Sequence, residues 1–280
     1  MKKPTVIEGR FFVLYICIKI LVMENILPVI NEFKKIENVK AIVLSGSRTA
    51  NSSDEISDYD IYIYSDAEIN LDERTKIAKM FSDKYEIDNR FFGPGDEWIL
   101  RNSDIQIDVM YRSTEWIENC VENTWVKHYP SVGYSTCFIF NIKNSEIIYD
   151  PEGWYKNLHK KVSSEYPDEL SKNIIKNNLP LLKNKISASF YEQTEKAIKR
   201  KDYVSLNHRI SAFIASYFDV LFAVNKVLHP GEKRLVQYTK LHCAKIPENF
   251  EEDINNITRY PLENTLEILS RLNENLMKII

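Results

Sequence analysis

The stretch that most limits what this chain can become runs from Val39 to Tyr64, VKAIVLSGSRTANSSDEISDYDIYIY. A short apolar strand, Ala41–Leu44, ends at Ser45-Gly46-Ser47. A polar loop follows, and a second strand opens on Asp58-Tyr59-Asp60. Residues two apart in a strand share a face, so Asp58 and Asp60 project together while Tyr59, Ile61 and Ile63 point the other way. Acidic residues are depleted in strands. Two carboxylates held this close repel unless a cation lies between them. Hard divalent cations take carboxylate oxygens, and Mg²⁺ typically uses one or two of them together with substrate phosphates. Gly46 lets backbone approach a ligand closely, and Ser47 offers a hydroxyl and an N–H to phosphate oxygens. The guanidinium of Arg48 matches phosphate geometry. The simplest reading is chemistry on a nucleoside triphosphate. The plainer one is a turn, a solvent-facing arginine and two solvated carboxylates.

A third carboxylate comes from the run Asp104–Tyr111. Ile105, Ile107, Val109 and Tyr111 alternate with Asp104, Gln106, Asp108 and Met110. The first set faces a core and the second a cleft. Asp108 sits in mid-strand between apolar residues, whereas Asp104 lies near the strand start and reads as a solvated turn residue.

Gly46-Ser47, then Ser57-Asp58-Tyr59-Asp60, then Asp108 on a later strand together resemble the signature of the polymerase-β-like nucleotidyltransferase superfamily. The resemblance covers the first half of the chain. It implies that Gly46, Ser47 and Arg48 cradle the triphosphate and that Asp58 and Asp60 hold two Mg²⁺ ions. Asp108 would bind the catalytic ion or take the proton of the attacking hydroxyl. The substrate implied is ATP, and the products are an AMP-bearing acceptor and pyrophosphate. Asn51 stands about where many small-molecule members carry a second glycine; asparagine tolerates left-handed backbone better than other non-glycine residues. The later tract Asn225, Lys226 and His229–Arg234 resembles the helical domain of bacterial antibiotic nucleotidyltransferases that modify aminoglycosides and lincosamides. That implies a small-molecule hydroxyl acceptor, with Lys233 meeting the triphosphate and Asn225 near it. A helix end with a basic cap is the plainer reading of the same tract. Trp98, Trp125 and Trp154 could stack on adenine or line the acceptor site, but core packing is the favoured explanation of any single aromatic.

Two other readings stay open. One keeps the chemistry and changes the acceptor to a protein side chain or a tRNA end, as in toxin–antitoxin systems. The other is a non-catalytic nucleotide-binding module, against which the intact carboxylate trio argues.

The net charge of −3 argues against a polyanion-binding surface, and hence against long nucleic acid as substrate. The four cysteines are scattered without metal spacing and the five histidines form no H-E-x-x-H. Both patterns suit reduced thiols in a cytoplasmic protein without zinc. The apolar run Phe11–Met23 is shorter than the roughly 20 residues a membrane span needs. Met23 is also a plausible natural start.

Helical spacing of Ile26, Leu27, Ile30, Phe33 and Ile36 predicts a helix over Glu24–Ile36. Asn70 with Glu73 predicts a capping box opening a helix that runs to about Tyr85. Gly93–Asp96 reads as a loop. Ser135–Ile142 and Ile147–Tyr149 read as strands. Beyond Pro167 the pattern turns helical: 168–185, 187–199, 203–227 and 262–279. Strands first and helices afterwards predict an α+β chain. An extension (1–22) precedes a mixed-sheet nucleotidyltransferase domain (23–155), and an all-α domain (156–280) follows.

Overall fold

The computed structural model describes residues 25–46, 58–91, 93–185 and 188–280. Ser47, Arg48, Asn51 and the run Phe11–Met23 lie outside them. The fold is α+β. Six strands, β1 (Val39–Ser45), β2 (Tyr59–Ser65), β3 (Ser82–Asn89), β4 (Gly95–Leu100), β5 (Gln106–Ser113) and β6 (Glu146–Tyr149), form one sheet in the order β3-β4-β5-β2-β1-β6. Among these described strands, β2 and β5 pair in parallel and the other neighbours are antiparallel. A parallel pair needs a long crossover; here it carries helix α2 (Leu71–Phe81) and the β3–β4 hairpin.

The period-2 alternation splits the sheet into two faces. Tyr59, Ile61 and Ile63 of β2, Ile107, Val109 and Tyr111 of β5, and Trp98 of β4 are buried against Ile26, Val29, Ile30 and Phe33 of helix α1 (25–33) and Ile77 and Ala78 of α2. Trp98 is 1% exposed and stacks on Phe33 at 6.0 Å between centroids, so it belongs to the core and not to a ligand. A charged pair enters this layer. Arg74 of α2, 1% exposed, forms a buried ion pair with Asp96 of β4, its Nε donating to Asp96 Oδ2 at 3.1 Å and its Nη2 to the carbonyl of Gly95 at 3.1 Å.

Local choices follow the chemistry. Asn70 caps α2 by accepting from the Asp72 N–H at 2.8 Å, with no capping box through Glu73. The helix stops at Phe81, not Tyr85, because the chain enters strand conformation at Ser82, whose hydroxyl lies within hydrogen-bond distance of the Lys84 and Ile99 carbonyls and donates its one proton between them. The segment Ser135–Ile142 is not a strand. It lies mostly in helix α4 (Cys137–Asn144), which falls in chain order between α3 (Thr114–Val121) and α5 (Trp154–Val162), and whose Ile139 and Ile142, three apart, are the buried positions. Its Phe/Ile content imitates a strand, but the residues it buries keep helical spacing.

The described residues up to Ile117, with Ser145–Asn157, form one compact unit; Glu118–Asn144 and Leu158–Ile280 form the other. Residues 118–144 thus fold with the helical part, which no cut at a single point between 155 and 156 captures. In that second unit α8 (Tyr203–Asn225) is central. Its Phe213, Tyr217, Phe218, Leu221 and Phe222 pack against α6 (Asp168–Leu182), α10 (Phe250–Arg259) and α11 (Thr265–Met277). α7 (Phe190–Arg200) opens with a full capping box between Ser189 and Glu192. Among the described residues no helix is long and apolar enough to cross a membrane.

A buried polar node ties this unit together. Asp219 of α8 accepts from the Ser135 N–H at 3.0 Å, the Ser135 hydroxyl at 2.6 Å and Asn178 Nδ2 at 3.1 Å. Burial pushes the Asp219 carboxyl up to about 6, with the Ser135 hydrogen bonds pulling the other way. The unfolded chain ionises near 3.8, so between these values the folded state holds the extra proton. The contribution is complete below pH 3.8 and is lost as pH rises through about 6. The shift corresponds to roughly 3 kcal/mol. Urea unfolding of the parent and of Asp219→Asn between pH 4.5 and 7 should therefore show the gap between them moving in the variant's favour as pH rises, by about 2 kcal/mol or more.

Candidate active site

The register of the sheet lays out the site. Ser45 at the end of β1 pairs with Asp60, Asp60 with Asp108, Asp108 with Glu97, and Glu97 with Glu86. Neighbouring strands are about 4.8 Å apart. One line across the face opposite the core thus carries four carboxylates. Asp58, one residue before β2, is close enough to act on Glu97 electrostatically. The Glu97 carboxyl is raised by burial first, then by Asp108, Glu86 and Asp58. Asp104 precedes β5 and has no place in the ladder.

Gly46 is required by this arrangement for two reasons. Its φ is +76°, in the left-handed region, and a Cβ there would sit 1.7 Å from Asp60 Oδ2. The carboxylate of Asp60 occupies the space a side chain would need. Two neutral amides hold the central acids: Gln106 Nε2 donates to Asp108 Oδ1 at 3.1 Å, and Asn89 Nδ2 donates to Glu97 Oε1 at 3.0 Å. Further along the same face Arg112 donates through Nη1 to the carbonyls of Tyr111 (2.8 Å) and Pro94 (3.3 Å). It lies 5.4 Å from the Trp116 ring centroid.

Among the described residues no three His, Cys, Asp or Glu side chains stand grouped closely enough to hold an ion by themselves. What fits Mg²⁺ is the donor set: hard carboxylate oxygens on Asp60 and Asp108, direct partners across one strand pair. One or two carboxylates suffice when substrate phosphates complete the shell.

Trp154 lies in the first unit, beside the Tyr64 and Tyr155 rings; Asn225, Lys226, His229, Lys233 and Trp125 sit in the second. Asn225 ends α8, and its amide is engaged by the protein: Nδ2 donates to the carbonyls of Leu221 and Lys245, and Oδ1 accepts from the Lys245 N–H at 2.8 Å. That bracket explains Asn225 without a ligand. Lys233 is exposed, between Gly231 and Arg234, both of which have positive φ. His229 is fully buried between the rings of Tyr134 and Phe222, and burial lowers it to about 4. Its Nδ1 accepts from the Gly231 N–H, so the neutral ring shapes the turn that presents Lys233. Trp125 is buried too, its Nε1 donating to Ser164 Oγ at 3.1 Å.

Sequence reasoning missed Glu97 and Glu86, and set Gln106 on the cleft face beside Asp108 without a role. The signal for Glu97 was the alternation of Asp96, Trp98 and Leu100, all buried, with exposed Glu97 and Ile99. Reading Gly93–Asp96 as a loop concealed it.

Residues 28–94 match the family described as "Polymerase beta, Nucleotidyltransferase", and residues 134–235 match a domain of unknown function, DUF4037. No curated protein matches the chain. Among solved structures, a nucleotidyltransferase-like protein from Exiguobacterium sibiricum 255-15 is 8% identical with a TM-score of 0.44, covering 92% of this chain and 74% of that one. Spectinomycin adenyltransferase AAD(9) from Enterococcus faecialis, solved with ATP and spectinomycin, is 13% identical with a TM-score of 0.30, covering 90% of this chain and 99% of that one. Residues 28–94, which hold β1, β2, α2 and β3, are thus similar in sequence to the polymerase-β-like nucleotidyltransferase family.

Proposed function

We propose that this chain is a Mg²⁺-dependent nucleotidyltransferase that moves AMP from ATP to a hydroxyl of a small molecule, an aminoglycoside-like antibiotic being the acceptor class its sequence resemblance implies. The observation that carries the reading is the pairing of Asp60 with Asp108 across parallel strands, with Asp60 packed on Gly46. In this reading Asp58 and Asp60 hold Mg²⁺, and Asp108 either shares it or takes the acceptor's proton. The bound ions would neutralise the triphosphate and favour in-line displacement. The acceptor oxygen bonds to the α-phosphorus as the α–β bridging P–O bond breaks, and pyrophosphate leaves. Ser47 and Arg48, which follow Gly46 directly in the sequence, would steady the leaving phosphates.

The test is a screen of aminoglycosides, lincosamides and other polyols with α-labelled ATP and Mg²⁺. Label should move to an acceptor with one pyrophosphate released per transfer, and chelation should stop both. Label arriving on protein or tRNA instead would replace the acceptor class. Absence of ATP binding by calorimetry would remove the enzyme reading altogether.

A further inference from the structure

We infer that Gln106 is a positioning residue for Asp108, an inference that rests on the proposed function. Asp108 has an acidic partner on each flanking strand, Asp60 on β2 and Glu97 on β4. Left to electrostatics alone, its carboxylate would rotate to the compromise between two repulsions, not to the orientation a cation needs. Gln106 lies two residues earlier on β5, hence on the same face, and its Nε2 donates to Asp108 Oδ1 at 3.1 Å. That bond fixes the rotation about the Cβ–Cγ axis. An amide suits the task because it adds no charge. A lysine or arginine at 106 would compete with a metal ion for the same oxygens, and an apolar side chain would remove this donor from Oδ1. Partners that orient a metal ligand in this way typically change metal affinity or activity by roughly 10–100-fold when removed. The same device recurs one strand over, where Asn89 holds Glu97 at 3.0 Å. The row is therefore braced by neutral donors at its centre.

The test uses the full chain with Mn²⁺ and a saturating non-hydrolysable ATP analogue, which supplies the phosphate oxygens, with protein-retained Mn²⁺ read by electron paramagnetic resonance after equilibrium dialysis and the fold by thermal denaturation. Gln106→Met keeps the length of the side chain and removes the donor; Gln106→Leu is a second route to the same loss. The expected result is Mn²⁺ binding weakened roughly 10–100-fold in both, with Tm within a few degrees of the parent. Asp60→Ala serves as the reference for the site itself. If the parent binds Mn²⁺ and Asp60→Ala does not, yet both Gln106 variants bind as the parent does, the positioning role is overturned and the site stands. If both Gln106 variants lose Tm instead, the residue is structural and the inference is likewise overturned. If parent and Asp60→Ala bind alike, the proposed metal site fails, and this inference with it.

Discussion

Gly46→Ala should reduce nucleotidyl transfer about 100-fold while leaving the chain folded. Two independent penalties meet at this position. An L-residue at φ +76° is strained by about 1 kcal/mol. The larger effect is spatial: the new methyl would lie 1.7 Å from Asp60 Oδ2 and 2.6 Å from its Cγ, so the carboxylate must move. The side chain sits on a solvent-side face, not in the core, and can move at small cost in stability. Displacements of about 1 Å in catalytic groups typically cost about 100-fold. Asp60→Ala removes the carboxylate outright and should cost several kcal/mol of transition-state stabilisation, about 10³-fold. Because Gly46→Ala acts through Asp60, the two losses should not multiply. The double variant should be no slower than Asp60→Ala alone. Steady-state pyrophosphate release in the four proteins measures this. Multiplicative losses would mean that Gly46 contributes through its own backbone contact to phosphate and not by making room for Asp60.

That dependence shows which parts of the site were legible in sequence. Asp58 and Asp60 could be assigned to one face from the two-residue period alone, and Asp108 to the cleft face of its strand by the same rule. The period says nothing about which strand lies beside which. That β5 docks parallel to β2 with Asp108 against Asp60 depends on a crossover of about forty residues, whose β3–β4 hairpin has a mixed polar pattern. Strand β3, with Asp83, Lys84, Glu86 and Asp88, is a charged edge strand and shows no apolar alternation to read. Glu97, on the inner strand β4, stayed hidden because Gly93–Asp96 reads as a loop, although β4 itself alternates. In the second half the long helices follow from periodicity, whereas α9 (Leu235–His242) and α10 are short and begin at left-handed residues, Arg234 and Asn249. Those positions are settled by tertiary context, which local propensity does not carry.

Arg74→Met should destabilise the sheet unit by about 3–5 kcal/mol, the usual cost of leaving a buried partner charge uncompensated. Arg74 and Asp96 are both 1% exposed. Asp96 also accepts from the Tyr111 hydroxyl at 2.6 Å and from the Asp88 N–H at 2.9 Å. The Tyr111 phenol is held well above its usual range by burial first and by Asp96 second, so it remains a donor. The guanidinium lies 4.2 Å from the centroid of the Tyr111 ring. One arginine thus pins α2 to β4 and β5 together. A fall in Tm of roughly 10–20 °C follows for a unit of this size. Replacing both charges, Arg74→Met with Asp96→Leu, often restores a buried pair to neutrality or better. Here it should restore only part of the loss, because the Tyr111 hydroxyl and the Asp88 N–H would be left without their acceptor, at about 1–3 kcal/mol each if they stay dry. Thermal and urea unfolding of the two variants, read by circular dichroism, distinguishes these cases. A double variant as stable as the parent would mean that Asp96 serves Arg74 alone. A double variant no better than Arg74→Met would mean that the hydrogen bonds to Tyr111 and Asp88 carry as much of the stability as the ion pair.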